Sequence, residues 1–284
     1  MMNKKNYVLN NGLEIPKIGY GTWKLKNNDD TVCAVSEAIK IGYRLFDTAS
    51  AYNNEKTIGL GFKKSKIDRN NLFITGKLWN DSRKYDDVIN ACKKTIDELD
   101  CEFLDLYLIH WPASPALYEN WEELNWETWT ALEKLYNDGF VKAIGVCNFK
   151  VHQLESLLKK AIIKPMVNQI EFHIGQMQSE IVNYCKNNDI LVEAWSPLGS
   201  GKMLKNAFLQ NMATKYSVTV AQLCIRWCVQ NDVLPIPRSK NIDRINSNFD
   251  VFDFEISDSD MKTLNEMPYI GGSGLDSDTL TLFG

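Results

Sequence analysis

The sequence predicts an α/β protein, a single (β/α)8 barrel with a short β-hairpin at its lower end. Three observations carry this reading. Eight short apolar runs recur along 284 residues, amphipathic segments stand between them, and polar residues collect at the C-terminal ends of the runs. Runs that are apolar almost throughout suit strands covered on both faces, the condition of a parallel sheet. Eight such strands with a helix in each crossover close into a barrel.

The candidate strands are residues 15–21 (IPKIGYG), 43–48 (YRLFDT), 72–78 (LFITGKL), 105–111 (DLYLIHW), 141–149 (VKAIGVCNF), 166–172 (MVNQIEF), 190–196 (ILVEAWS) and 232–239 (DVLPIPRS). Between them, DTVCAVSEAIKIG, KYDDVINACKKTIDELD, WETWTALEKLYNDG and VAQLCIRWCVQN place apolar residues three and four apart, the period of a helix with one buried face. Upstream, YVLNNGLEIP sets Asn11-Gly12 between two extended runs, a dipeptide suited to the positive φ angles of a hairpin turn. The hairpin is expected to cap the lower end of the barrel. No Pro/Gly/Ser linker or low-complexity segment divides the chain, so residues 1–284 read as one domain. The run YENWEELNWETW (118–129) reads either as a loop over the mouth or as the lead-in to the next helix.

Composition removes several classes of function. With 44% hydrophobic and 24% charged residues the chain is that of a globular protein, and no apolar run approaches the roughly 18 residues of a membrane helix. The N-terminal MMNKKNYVLNNG has no apolar core of a secretion signal, so a cytoplasmic location is expected. A net charge of −4 leaves no electrostatic footprint for nucleic acid. Seven cysteines (33, 92, 101, 147, 185, 224, 228) form no C-x-x-C pair and read as reduced thiols, with Cys224 and Cys228 on a core-facing helix stripe. His152 and His173 lack metal-ligand spacing and read as structural, so no metal site is expected.

Asp47, Lys77, His110, Asn148, Gln169, Ser196 and Arg238 each fall at or just past the end of a different strand, from the second through the eighth. In a barrel these ends ring one mouth, where barrel enzymes hold their active sites. Tyr52 follows Asp47 by five residues in a polar loop. A phenol with a pKa of about 10 is a poor acid at neutral pH. A lysine beside it stabilises the phenolate, and a carboxylate holds the lysine. Tyr52 then reads as a general acid, Lys77 as its tuner, Asp47 as the anchor, and His110 as a donor that orients a carbonyl. The set suits carbonyl reduction, in which hydride from a nicotinamide leaves negative charge on oxygen for a proton to quench. A competing pair, Tyr52 with Lys56, matches the spacing in short-chain dehydrogenases, but the chain has no G-x-G-x-x-G turn. GYGTWK offers two of the glycines, and LGSGKM lacks the first glycine and the Ser/Thr of a phosphate loop.

The stretches FDTASAYNNE, ITGKLW, DLYLIHWP, AIGVCNF, VNQIEFH, AWSPLG and IPRSKNIDRINSNFDVFDFE resemble the aldo-keto reductases, in order and across nearly the whole chain. The resemblance implies NADPH-dependent reduction of aldehydes and ketones on a (β/α)8 barrel, with Asp47, Tyr52, Lys77 and His110 as the catalytic four. It further implies that Cys147, Asn148 and Gln169 bind the nicotinamide carboxamide, that Trp195 stacks under the ring, and that Gly21 and Thr22 line the start of the cleft. Ser196 and Leu198 are implied to meet the pyrophosphate, and Arg238, Ser239, Arg244 and Asn248 the 2′-phosphate and adenine. Two arginines and a serine beside a helix start suit a phosphomonoester dianion, so NADPH is expected over NADH.

Four positions depart from the family pattern: Gly76 where Ser or Thr is common, Cys147 for serine, Trp195 for tyrosine, and Arg238 for lysine. None removes a catalytic group, and Arg238 adds a fork able to grip phosphate bidentately. Trp23, Trp79 and Trp111 follow strand ends and are expected to wall the substrate pocket. The short tail ending in DSDTLTLFG resembles that of the bacterial members, and an open pocket for small carbonyls follows as an expectation: dicarbonyls, aromatic aldehydes or keto-sugar acids. A monomer is expected. The same barrel also serves as a nucleotide-sensing subunit of membrane channels, an alternative that the four reactive groups here argue against.

Overall fold

Two short strands, β1 (Asn6–Val8) and β2 (Glu14–Pro16), pair antiparallel across the Asn11-Gly12 turn, where Gly12 takes a φ of 86°. In this computed structural model, which describes residues 6–280, the hairpin sits under the N-terminal ends of the barrel strands. Asn10 Nδ2 donates to the carbonyls of Pro165 and Asp189, and Asn11 Nδ2 to that of Lys142. All three carbonyls lie just upstream of barrel strands. The first five residues of the N-terminal segment and the last four of the tail lie outside the described residues.

Eight parallel strands follow in chain order: β3 (Gly19–Gly21), β4 (Leu45–Asp47), β5 (Phe73–Leu78), β6 (Leu106–Ile109), β7 (Ile144–Cys147), β8 (Val167–Glu171), β9 (Leu191–Trp195) and β10 (Leu234–Pro235). The Gly21 N–H donates to Pro237 O at 3.0 Å, bringing the last strand back to the first. The two outermost runs are shorter than their apolar lengths suggest. Residues 15 and 16 of the first run belong to the hairpin strand β2, leaving only 19–21 to the barrel, and the last run pairs over two residues. Pro16, Pro235 and Pro237 explain this, because proline has no N–H to give a ladder.

Among the described residues, ten helices wrap the strands: α1 (Asp29–Ile41), α2 (Glu55–Ser65), α3 (Tyr85–Glu98), α4 (Trp121–Asn137), α5 (Val151–Leu158), α6 (Ser179–Asn187), α7 (Ala207–Lys215), α8 (Val220–Gln230), α9 (Ile242–Phe249) and α10 (Asp258–Asn265). Side-chain caps start several of them, among them Asn28 on α1, Asn241 on α9 and a Thr219/Gln222 capping box on α8. Most of residues 118–129 is the first part of α4, not a loop. Its Trp129 is fully buried and donates its indole N–H to Ile163 O, which gives this turn-rich acidic run a reason to be helical. Cys224 and Cys228 lie buried on α8, and His173 is buried with Nδ1 3.0 Å from Ile174 O.

The helix α2 packs so closely that residue 59 has no room for a side chain. A Cβ added to Gly59 would stand 2.4 Å from the backbone oxygen of Leu99, at the end of α3. Glycine to alanine in a helix interior ordinarily stabilises by about 1 kcal/mol. Here the clash reverses the sign, and Gly59→Ala is expected to destabilise by about 1–3 kcal/mol, the range of overpacked cores. Urea unfolding checks this: a variant at least as stable as the parent refutes the close approach.

Candidate active site

β4 ends on Asp47, and the chain turns at once into a 3₁₀ turn, Ser50–Tyr52, that brings the phenol back over the strand ends. Tyr52 N–H donates to Ala49 O at 3.0 Å and Ser50 Oγ to Lys77 O at 3.2 Å, fastening the turn to itself and to β5. Asn53 follows with a φ of 52°, a left-handed conformation that asparagine tolerates. Asn54 is buried and donates to the carbonyls of Thr22 and Leu25 at 2.9 and 3.1 Å, which ties this loop to the one after β3. The polar stretch after Asp47 is therefore a braced shelf.

Lys77 lies inside the barrel with no exposure. Its Nζ is 2.6 Å from Asp47 Oδ1, 3.1 Å from Thr48 O and 3.3 Å from Tyr52 Oη. Burial works against the ammonium, but Asp47 and Tyr52 outweigh it and hold Lys77 above the ordinary lysine range. For Tyr52 the balance runs the other way. Burial outweighs the lysine, and the phenol is pushed up to about 12. The lowering effect of Lys77 is present but loses to desolvation, so the resting phenol is less acidic than the sequence suggests. Tyr52 pairs with Lys77, while Lys56 is exposed on α2.

His110 follows β6, with its ring edge-on to Tyr52 at 5.6 Å and to Trp79 at 5.0 Å between centroids. Burial, and then the nearby Lys77 charge, hold it well below the ordinary histidine range, so the ring is neutral. Its Nδ1 is buried and has no partner among the described residues.

The amides expected to face a carboxamide are partly engaged within the protein. Asn148, at a φ of 63° just past β7, accepts from Trp195 Nε1 at 2.8 Å and donates to His110 O at 3.0 Å. Each end of its amide keeps one bond to offer. Gln169 Nε2 donates to Asp47 Oδ2 and to Glu193 Oε2, both at 2.8 Å, so both its hydrogens are used and only its carbonyl oxygen remains.

One cavity of about 2020 Å³ opens over these strand ends. That is larger than the 300–1,000 Å³ usual for a small-molecule site and leaves room for a dinucleotide beside a small substrate. Gly21, Asp47, Tyr52, His110, Asn148, Gln169, Trp195, Ser196, Leu198, Arg238, Ser239, Arg244 and Asn248 line it, as do Trp23, Trp79 and Trp111. Two residues expected at the cofactor lie behind this wall instead. Thr22 is fully buried with Oγ1 donating to Asp47 O, and Cys147 is buried inside the barrel, its thiol pushed well up by desolvation.

At the far end the exposed guanidinium groups of Arg238 and Arg244 are in no ion pair among the described residues, and they stand by the N-terminus of α9. Free cations beside a helix start fit a phosphate dianion.

Sequence reasoning missed Lys240 beside these arginines, Ser273 and Leu275 from the C-terminal segment, and Glu193 under Gln169. Ser273 reaches the cavity because its N–H and Oγ bind the Glu171 carboxylate at 2.9 and 2.6 Å, a long-range clamp without local signal. Glu193 did leave a signal: an acid inside an apolar strand.

A parallel eight-stranded barrel with this polar mouth defines a barrel oxidoreductase. The chain belongs to the aldo/keto reductase family, whose model matches residues 17–268. It is 46% identical to the glyoxal reductase of Bacillus subtilis (strain 168) over 264 residues, 93% of each chain. It is 40% identical to the 9,11-endoperoxide prostaglandin H2 reductase of Trypanosoma cruzi (strain CL Brener), again over 93% of each. Among solved structures, that of an aldo/keto reductase from Brucella melitensis matches with a TM-score of 0.86 and 41% identity, over 92% of this chain and 98% of that one. An aldo-keto reductase of the silkworm, Bombyx mori, complexed with NADPH, matches with a TM-score of 0.86 and 32% identity, over 94% and 89%.

The buried ion pair also sets an expectation for stability. Lys77→Met leaves the Asp47 carboxylate buried without its cation, and removing one partner of such a pair costs about 3–5 kcal/mol. The double variant Lys77→Met/Asp47→Asn is expected to be more stable than Lys77→Met alone. Denaturant melts of both decide; a harmless Lys77→Met sinks the claim.

Proposed function

We propose that the protein reduces aldehydes and ketones with NADPH, using Tyr52 as the general acid, Lys77 and Asp47 to support it, and His110 to orient the carbonyl. The observation that carries this reading is the hydrogen-bond line Asp47–Lys77–Tyr52, at 2.6 and 3.3 Å, ending at the cavity wall beside His110. Because Lys77 donates to the phenol oxygen, the phenol's own hydrogen is directed away from the lysine, toward the cavity. At neutral pH the phenol carries that hydrogen, with a pKa of about 12. The neutral His110 ring, with Nδ1 in the wall, presents Nε2–H to the carbonyl oxygen.

Bound NADPH supplies hydride to the carbonyl carbon. As negative charge builds on the oxygen, Tyr52 gives up its proton and Lys77 stabilises the phenolate left behind. Trp195, Asn148 and the Gln169 oxygen would hold the nicotinamide end, with Gly21, Thr22 and Cys147 packing around them. Ser196 and Leu198 would meet the pyrophosphate, and Arg238, Ser239, Arg244 and Asn248 the adenosine 2′-phosphate. Trp23, Trp79 and Trp111 would wall an apolar pocket with one reactive end, suited to small carbonyls; the likeness to a glyoxal reductase supports dicarbonyls among them. The seven free thiols suit a reducing compartment and support a cytoplasmic location, and we read residues 1–284 as one domain acting as a monomer.

Two measurements test this. Tyr52→Phe is expected to lower kcat for an aromatic aldehyde by about 10²–10⁴-fold, the usual worth of a general acid, with NADPH binding nearly intact. Unchanged NADPH consumption at 340 nm would discredit the acid. Arg244→Ala is expected to weaken NADPH far more than NADH; equal weakening of both removes the 2′-phosphate role.

A further inference from the structure

Glu193 lies in the middle of β9, fully enclosed in the barrel, and does not line the cavity. The register pairs it with Gln169 on β8, so the two side chains leave the same face of neighbouring strands. Its Oε2 accepts one Gln169 Nε2 hydrogen at 2.8 Å while Asp47 Oδ2 accepts the other, also at 2.8 Å. Its Oε1 is buried and has no partner among the described residues. An acid is costly in such a place unless something holds it or it stays neutral.

We propose that Glu193 is a positioning residue for the reduction: it fixes the Gln169 amide, which holds Asp47 Oδ2, so that Asp47 and Lys77 stay aligned on Tyr52. An amide nitrogen held by two carboxyl groups cannot rotate without breaking a buried bond. Remove Glu193 and one hydrogen is left without an acceptor, which frees the amide to turn and Asp47 to lose its second tie.

The same geometry makes the alignment sensitive to charge. Asp47 on β4, Lys77 on β5 and Cys147 on β7 are the titratable groups that face Glu193, and its β10 partner is the apolar Leu234. Burial, and then Asp47, push the Glu193 carboxyl up to about 8. Below that pH it keeps its proton. Above it, a second negative charge enters beside Asp47, strengthens the hold on Lys77 and makes the phenol harder to ionise, so reductive kcat falls as pH rises through this value.

This role rests on the proposed Tyr52 chemistry, so Tyr52→Phe runs alongside Glu193→Leu and Glu193→Gln. Circular dichroism and melting report folding, quenching of tryptophan fluorescence reports NADPH affinity, and kcat and KM are followed from pH 6 to 9.5. Glu193→Leu is expected to lower kcat by about 100-fold, the cost of a misplaced reacting group, with carbonyl KM little changed and NADPH affinity lowered far less than kcat, because the Gln169 oxygen is one of several groups on the dinucleotide. Glu193→Gln, which has the shape of the neutral carboxyl, is expected to keep most of kcat at pH 7 and to lose the alkaline fall. A folded Glu193→Leu enzyme with parental kcat overturns the proposal. If Glu193→Leu does not fold, the Gln variant decides: a pH profile that superimposes on the parent's also overturns it. Full activity in Tyr52→Phe would instead strike at the acid assignment, whereas a dead Tyr52→Phe with a normal Glu193→Leu removes Glu193 alone.

Discussion

The site depends on one buried ammonium. Lys77 carries three hydrogens, and the structure supplies three acceptors: the Asp47 carboxylate, the Thr48 carbonyl and the Tyr52 phenol. Taking an ammonium out of water costs several kcal/mol even after relaxation, and it is tolerated only where charge and hydrogen bonding are both answered. That demand dictates the local chain path. Asp47 must end its strand opposite Thr75, two residues before Lys77 on the neighbouring strand, and the turn carrying Tyr52 must fold back over β5, where Ser50 fastens it.

The pKa balance gives the lysine a narrower task than the sequence suggests. A phenol in this enclosure is a weaker acid than in water, since burial outweighs the ammonium beside it. In the proposed reduction, the ammonium limits that penalty and stands ready for the charge that would develop as the proton leaves. Preorganised stabilisation of this kind acts on the transition state more than on the resting enzyme. For the proposed acid, a resting phenol that keeps its proton is then an advantage, because it would stay loaded at neutral pH.

Much of this was legible in the residues. Eight apolar runs, a helical period between them and an Asn-Gly hairpin suffice for the barrel and its cap, because each rests on local periodicity or turn chemistry. The convergence of Asp47, Lys77 and His110 was legible too, since a barrel brings strand ends together. Strand length was not. Three prolines end the ladders of the first and last runs early, and apolar content alone conceals that. Nor could spacing show that Thr22 and Cys147 sit behind the cavity wall, that Asn148 is already bonded to Trp195, or that Ser273 arrives from about a hundred residues away to meet Glu171. These depend on side-chain direction and on partners distant in sequence.

Gln169 shows why such partners matter. Its two hydrogens point into the barrel, to Asp47 and Glu193, and its oxygen is left for whatever occupies the cavity. Only an amide of this length can do both. A glutamate at 169 would have no hydrogens for the two acids and would put a third carboxyl among them, while an asparagine would fall short of one partner. If the oxygen holds a nicotinamide carboxamide, the side chain that sets the ring's position also ties down the anchor of the acid. Placement of the hydride donor and alignment of the proton donor are then linked through a single planar group, so a disturbance at either end is felt at the other.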